Sequence, residues 1–213
     1  MNAPTKQRLM TAVIASVFVV AFVWTCFARY SVIRRDDALQ WLVGEVLAEQ
    51  SARLLGKEGR IVSIAMDARD HPQLNLQLEA FKAALRRLGD YELRECELNP
   101  RDCDVGTGLS GLSYVQTVKQ YQNADVFVSF IGIPKLTRDD IMELGSKPRL
   151  VAESSSVGDL SRLFENHLIE VAVVPRFDFR PRGSAPQHIS QDRFTERFEI
   201  VTTASVTSLP QPK

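Results

Sequence analysis

Cysteine is scarce, with three in 213 residues at positions 26, 96 and 103. That excludes a disulfide-dense scaffold. With no second cysteine pair and no histidine beside them, it also excludes a structural zinc site. Histidine is as rare: His71, His167 and His188 each stand alone in their segments. Excess charge is missing too, since 26 Lys and Arg balance 26 Asp and Glu. A nucleic-acid surface needs a basic excess, so nucleic acid is not an expected partner. No repeat of fixed period is present, and the serines lack the flanking glycines of a nucleophile elbow.

What the chain does have is one long apolar run, LMTAVIASVFVVAFVWTCFA, from Leu9 to Ala28. It carries no charge and is bracketed by Lys6 and Arg8 before it and by Arg29, Arg34 and Arg35 after it. Twenty helical residues reach about 30 Å, the thickness of a bilayer core. Trp24 and Tyr30 lie where an interfacial aromatic belt belongs. Bulky Trp24 and Phe27 make a poor signal-peptidase exit, so an uncleaved single span is expected. The flanking charges are nearly tied and do not orient it. Cys96 and Cys103 enclose a short loop-like stretch that a disulfide can bridge, which suits an oxidising compartment. The expected location is the cell (inner) membrane, single-pass, with the C-terminal domain outside the cytoplasm and the lipid bilayer as a partner.

Beyond the span, Asp36 to Leu55 reads as an amphipathic helix. Leu39, Leu42, Val43, Val46, Leu47 and Leu54 form its stripe, and Gly56 ends it. Its stripe packs either on the following domain or on a neighbouring subunit or lipid. Strands and helices then alternate. Ile61–Met66 is a short apolar strand, and Leu74, Leu78, Phe81, Leu85 and Leu88 mark a helix face closed by Gly89. Tyr91–Leu98 alternates like an edge strand, and Leu112–Tyr121 is helical. Asp125–Ile131 is a buried strand. Thr137 and Asp140 form a capping box with a Leu136/Ile141 staple. Arg149–Ala152 and Ile169–Val174 are the fourth and fifth strands. Phe194, Phe198 and Ile200 are placed on one face of a sixth.

The expected fold class is α/β. An N-terminal transmembrane helix precedes one doubly wound, mostly parallel five-stranded sheet with helices on both faces and an antiparallel C-terminal edge strand. The expected domains are a tail (1–8), the span (9–28), a juxtamembrane helix (29–58), the α/β domain (59–177), a loop and edge strand (178–205) and a flexible tail (206–213).

Gly59-Arg60-Ile61-Val62-Ser63-Ile64-Ala65-Met66-Asp67, then a polar loop with His71-Pro72, then FKAALRRLGDYEL, resembles the opening of a type I periplasmic sugar-binding protein. NADVFVSFIGIP and KPRLVAESS resemble the third and fourth strands of that lobe. The resemblance covers Gly59 to Phe177. It implies that ligand contacts come from the loop after the first strand, where Asp67, Arg69 and Asp70 stand. Such proteins close two lobes on a solute, and this chain has room for one.

Open α/β sheets bind ligands at their carboxyl edge. Asp67, Arg69, Asp70, His71, Glu153 and Ser154 gather there as the candidate ligand-binding set, suited to acid–base work, to a metal or to a polyol. Their plainer role is an ordinary salt-bridged rim. Gly106–Gly111 matches GxGxxG, but it follows the second strand rather than the first. It therefore reads as a loop rather than a dinucleotide site, and no cofactor is expected. A phosphoacceptor domain is excluded because the strand ending Phe130-Ile131-Gly132 has no Asp.

The leading expectation is a non-catalytic interaction or sensing module docking on another membrane or envelope protein. The first alternative is a small polar solute (sugar-like) binding protein working as a homodimer. The second is a serine-type hydrolase using Ser154 or Ser155 with His71.

Overall fold

The computed structural model describes Phe22, Trp24 and residues 37–67, 71–99, 103–104, 108–145, 148–154, 160–176 and 191–206. The chain divides into two compact units, Met1–Ala38 and Leu39–Lys213. In the first, Phe22 and Trp24 are helical and 71% and 74% exposed. The rest of the apolar run lies outside the described residues. Among the described residues no helix is long and apolar enough to cross a membrane.

The second unit is built on one six-stranded sheet. Its strands are β1 (Glu58–Met66), β2 (Asp90–Leu98), β5 (Val126–Ser129), β6 (Leu150–Glu153), β7 (Val171–Pro175) and β8 (Phe198–Thr202), in the order β2-β1-β5-β6-β7-β8. The first five are parallel and β8 runs antiparallel to β7, as the sequence predicts. β3 (Cys103–Asp104) and β4 (Gly108–Leu109) make a separate two-residue hairpin. Strand β2 is an edge strand. Its charged residues keep that edge from pairing further, and Arg94 is paired to Glu92 at 2.7 Å.

Side-chain alternation sends each strand's apolar residues to two faces. On one face Ile61, Val126, Val128, Val151, Val171 and Val173 pack against helix α1 (37–55) and helix α2 (Pro72–Leu88). Phe81 of α2 meets Phe130 edge-to-face with centroids 5.3 Å apart. On the other face Val62, Ile64, Phe127, Leu150 and Ala172 pack against α3 (Gly111–Gln120) and α5 (Leu160–Glu165). Helix α4 (Arg138–Leu144) starts with the predicted capping box. Thr137 Oγ1 accepts from the Asp140 N–H, and Asp140 Oδ2 accepts from the Thr137 N–H.

The stripe on α1 packs on the domain's own sheet: Leu39, Val43, Val46 and Leu47 are all buried in the first core. The direction of α1 follows from two hydrogen bonds. Near its start, Gln40 Oε1 accepts from Gln77 Nε2 in the first half of α2. At its end, the Leu54 carbonyl accepts from Arg149 Nη1 at 3.0 Å, just before β6. Helix α1 therefore runs antiparallel to the parallel strands, and its first turns lie at their carboxyl edge.

Three expectations need correction. No disulfide joins Cys96 and Cys103, and both are thiols. Strand alternation turns Cys96 onto α3, where its Sγ lies 3.7 Å from Thr117 Oγ1, while Cys103 opens the β3–β4 hairpin. The orientation argument drawn from that pair therefore loses its basis. Dithiothreitol is expected to leave the thermal midpoint unchanged, as differential scanning calorimetry can check. A bond closing that loop would contribute about 2–3 kcal/mol and move the midpoint by several degrees.

Phe194 is not on the last strand. It lies on helix α6 (Gln191–Arg197) and stacks on Phe198 at 5.5 Å. Both rings reach the same core, and their spacing of four suits a helical turn as well as a strand face. Val206, assigned to the flexible tail, is 7% exposed and packs in the second core. The Ser205 turn directs it there: the Thr202 N–H donates to Ser205 Oγ at 2.9 Å, and the Ser205 N–H donates to the Thr202 carbonyl at 3.0 Å.

Candidate functional site

The candidate site lies on the carboxyl edge of the parallel sheet. Strand β1 ends at Met66, so Asp67 stands just beyond it, half-buried. His71 precedes α2 and is exposed; its carbonyl accepts from the Asn75 N–H at 3.1 Å. Glu153 is the last residue of β6, in register with Val173 of β7. Ser154 follows it and is 4% exposed, with its N–H donating to the Val173 carbonyl at 2.8 Å. Arg69, Asp70 and Ser155 lie outside the described residues.

Glu153 is the chemically distinctive member. Its strand position points it to the α1/α2 side, where it is largely buried. Burial pushes its carboxyl up to about 6 from the usual 4.5, and a hydrogen bond from Gln77 pulls the other way. An ionised carboxylate in low dielectric loses hydration that one amide cannot replace. Gln77 is 4% exposed, and Gln40 takes its other amide hydrogen at 2.5 Å. Sequence reasoning missed both glutamines. A signal was present: Gln77 lies three residues after Leu74 and four before Phe81, inside the apolar stripe of α2. A polar residue at such a position is buried and needs a partner.

The neighbouring loops on this edge are tied together. Ser129 Oγ donates to the Gly132 carbonyl at 2.5 Å, turning the chain back after β5. The Lys135 N–H donates to the Leu109 carbonyl at 3.0 Å. Gly108 and Gly132, with φ of 99° and 107°, meet so closely that a Cβ on Gly132 would lie 3.2 Å from Gly108 Cα. The GxGxxG-like segment thus supplies a hairpin contact and then a helix cap, since Ser110 Oγ accepts from the Ser113 N–H at 3.1 Å.

The opposite, amino edge carries an open cleft of about 640 Å³. Its two arginines are already engaged. Arg60 donates its backbone N–H and side chain to Asp125, and Arg149 binds the Leu54 carbonyl. The Arg60 side-chain hydrogen bond holds the Asp125 carboxyl below its usual range. This end of the sheet fastens β5 to β1 and α1 to the start of β6, whereas the carboxyl edge holds a largely buried carboxylate on which no cation among the described residues acts.

No protein-family profile matches the chain, and no curated protein matches its sequence. Solved structures do match. The structure resembles AraP, an arabinose binding protein from Geobacillus stearothermophilus, with a TM-score of 0.58 at 12% identity, over 81% of this chain and 63% of that one. A sugar-binding protein of a sugar ABC transporter from Bacillus halodurans matches with a TM-score of 0.57 at 15% identity, over 79% and 64% of the two chains. An ABC transporter solute binding protein from Burkholderia graminis C4D1M, in complex with D-arabinose, matches with a TM-score of 0.55 at 15% identity, over 81% and 62%. The chain spans less than two thirds of the length of each. At these identities the likeness is one of fold, and it defines the class: an α/β fold of the periplasmic-binding-protein kind.

Proposed function

We propose that the domain from Leu39 onward is a non-catalytic binding lobe that takes a small polyhydroxy solute of the sugar class at the carboxyl edge of its sheet. The observation that carries this reading is Glu153, a largely buried carboxylate at the tip of a central parallel strand, whose pKa is raised by burial with no cation among the described residues acting on it. Above pH 6 it is an acceptor-only group, able to take hydrogen bonds from two hydroxyls of one ligand. Asp67, His71 and Ser154 reach the same edge from neighbouring elements, and Arg69 and Asp70 are the remaining candidates in sequence.

A lobe of this kind needs a second jaw. A second copy of the chain, or another envelope protein, supplies it. The apolar run 9–28 is long enough to anchor the lobe at a membrane. The hydrolase alternative is disfavoured for Ser154, which is buried while His71 is exposed; Ser155 lies outside the described residues. The docking-module reading is favoured by there being one six-stranded sheet among the described residues, which leaves its carboxyl edge for a partner.

A thermal-shift panel of pentoses and hexoses, D-arabinose included, tests the proposal. A bound sugar at a hundredfold excess over its Kd is expected to stabilise the folded chain by about 2.7 kcal/mol. Glu153→Gln is expected to weaken that sugar on the order of tenfold by calorimetry, since it removes a charge-assisted acceptor. A panel in which no sugar shifts the midpoint sinks the reading in favour of the docking module.

A further inference from the structure

The two lateral edges of the six-stranded sheet are built differently. β2 closes one side with Asp90, Glu92, Arg94, Glu95 and Glu97 along its length. Charge spread along an edge keeps other strands away. β8 closes the other side with Phe198-Glu199-Ile200-Val201-Thr202, which holds a single charge and no proline.

The register of β8 fixes which of its backbone groups face outward. The pairs from Pro175↔Phe198 to Val171↔Thr202 share one antiparallel register. Arg176 and Arg197 continue it, and the Arg176 N–H donates to the Arg197 carbonyl at 2.8 Å, so theirs is a hydrogen-bonded pair. Such pairs alternate with pairs whose backbone groups point away from each other. Glu199 and Val201 therefore direct their N–H and C=O groups to Val174 and Ala172 of β7, and Phe198, Ile200 and Thr202 turn theirs outward. The partner of Ile200 agrees with this phase: the Val173 carbonyl faces β6 and accepts from the Ser154 N–H at 2.8 Å. At Thr202 the outward groups are closed by the following turn. Its N–H donates to Ser205 Oγ at 2.9 Å, and its carbonyl accepts from the Ser205 N–H at 3.0 Å. At Phe198 and Ile200 no described residue closes them. Between these two stands Glu199, half-buried, with no ion pair among the described residues.

We propose that the β8 edge is a docking strand for an extended segment of a partner protein in which a lysine or arginine lies between two apolar residues. Paired antiparallel to β8, the apolar residues of that segment exchange backbone hydrogen bonds with Phe198 and Ile200. The residue between them falls opposite Glu199 in a pair without backbone bonds, where side chains are closest and an opposite charge is favoured. A second copy of this chain fits less well. The antiparallel register that uses both free residues sets Phe198 opposite Ile200 of the copy, and then Glu199 faces its own equivalent, a like-charge pair. The register centred on Ile200 brings Phe198 against Thr202, whose groups are already closed. The chain's own C-terminal residues are also poorly suited, because Val206 enters the second core and Pro210 and Pro212 have no N–H to give. This edge stands apart from the sugar-binding reading and does not rest on it.

Titration of the full chain in detergent with a short capped peptide tests the proposal, read by calorimetry and by amide exchange at residue resolution. The probe is a strand of alternating valine and threonine with lysine in place of the central threonine, and its control carries glutamate there. The lysine peptide is expected to bind on the order of tenfold tighter than the glutamate peptide, and Glu199→Lys is expected to reverse that order. Bound lysine peptide is expected to slow exchange at Phe198 and Ile200, while Glu199 and Val201, already bonded to β7, change little. Methylating the valine amides that flank the lysine is expected to abolish binding, and methylating the lysine amide, which points away from β8, to preserve it. No binding, equal binding of the two peptides, or indifference to which amides are methylated overturns the proposal. Slow exchange at Phe198 and Ile200 without peptide overturns it too. In a chain that sediments as a dimer, that result means a second copy holds the edge; in a monomer, it means this chain covers its own.

Discussion

Gly44→Ala is expected to lower the stability of the domain by about 2–3 kcal/mol in urea unfolding. The direction is informative because helix propensity argues the other way: alanine in a helix interior is favoured over glycine by about 1 kcal/mol. A net loss therefore measures a steric term larger than that gain. Its source is the close approach of α1 to α2. An added Cβ would lie 2.1 Å from the Gln77 carbonyl oxygen and 2.9 Å from the Ala80 Cβ. The first contact is with backbone inside a helix and cannot rotate away, so α1 must lift off. Lifting α1 uncovers Val43 and Leu47, both buried against the sheet. A neutral or stabilising result would mean that α1 is not seated on α2 as described.

Glu153→Gln is expected to raise stability by about 2 kcal/mol at pH 7.5 and to change little at pH 4.5. The folded carboxyl titrates near 6 instead of 4.5. As pH rises, the unfolded chain gives up this proton first, so the folded state binds more protons between the two values. Stability contributed by the protonated group is complete below the unfolded value and is lost as pH rises through the folded one. A shift of that size corresponds to about 2 kcal/mol. Glutamine has nothing to ionise, and its amide can donate to Gln77 Oε1. Denaturant melts of both chains at the two pH values isolate the effect, because every other titrating group is common to them. An equal difference at both pH values would remove Glu153 as a strained, buried carboxylate. Sugar binding is expected to weaken as stability improves, the usual trade at a functional group.

Much of the fold was legible because its signals are local. The apolar strands, the helix stripes and the Thr137/Asp140 cap each depend on residues a few positions apart. The gathering of Asp67, His71, Glu153 and Ser154 at one edge followed from strand direction alone, since consecutive parallel strands all end there. Phe194 was misplaced because two aromatics four apart suit either period. Cys96 and Cys103 were joined on paper because spacing bounds how near two residues can be and says nothing of where their side chains point.

By itself the sequence determined the apolar run, the alternation of elements and the edge at which polar residues collect, because periodicity reports which face of an element is buried. Only the tertiary structure decided what that face is buried against. Gly44, Gln40 and Gln77 owe their roles to a helix crossing that joins residues more than thirty positions apart in sequence. Glu153 owes its raised pKa to the covering those helices provide. Neither helix carries that information alone, because the fit depends on the summed volumes and unpaired polar atoms of both.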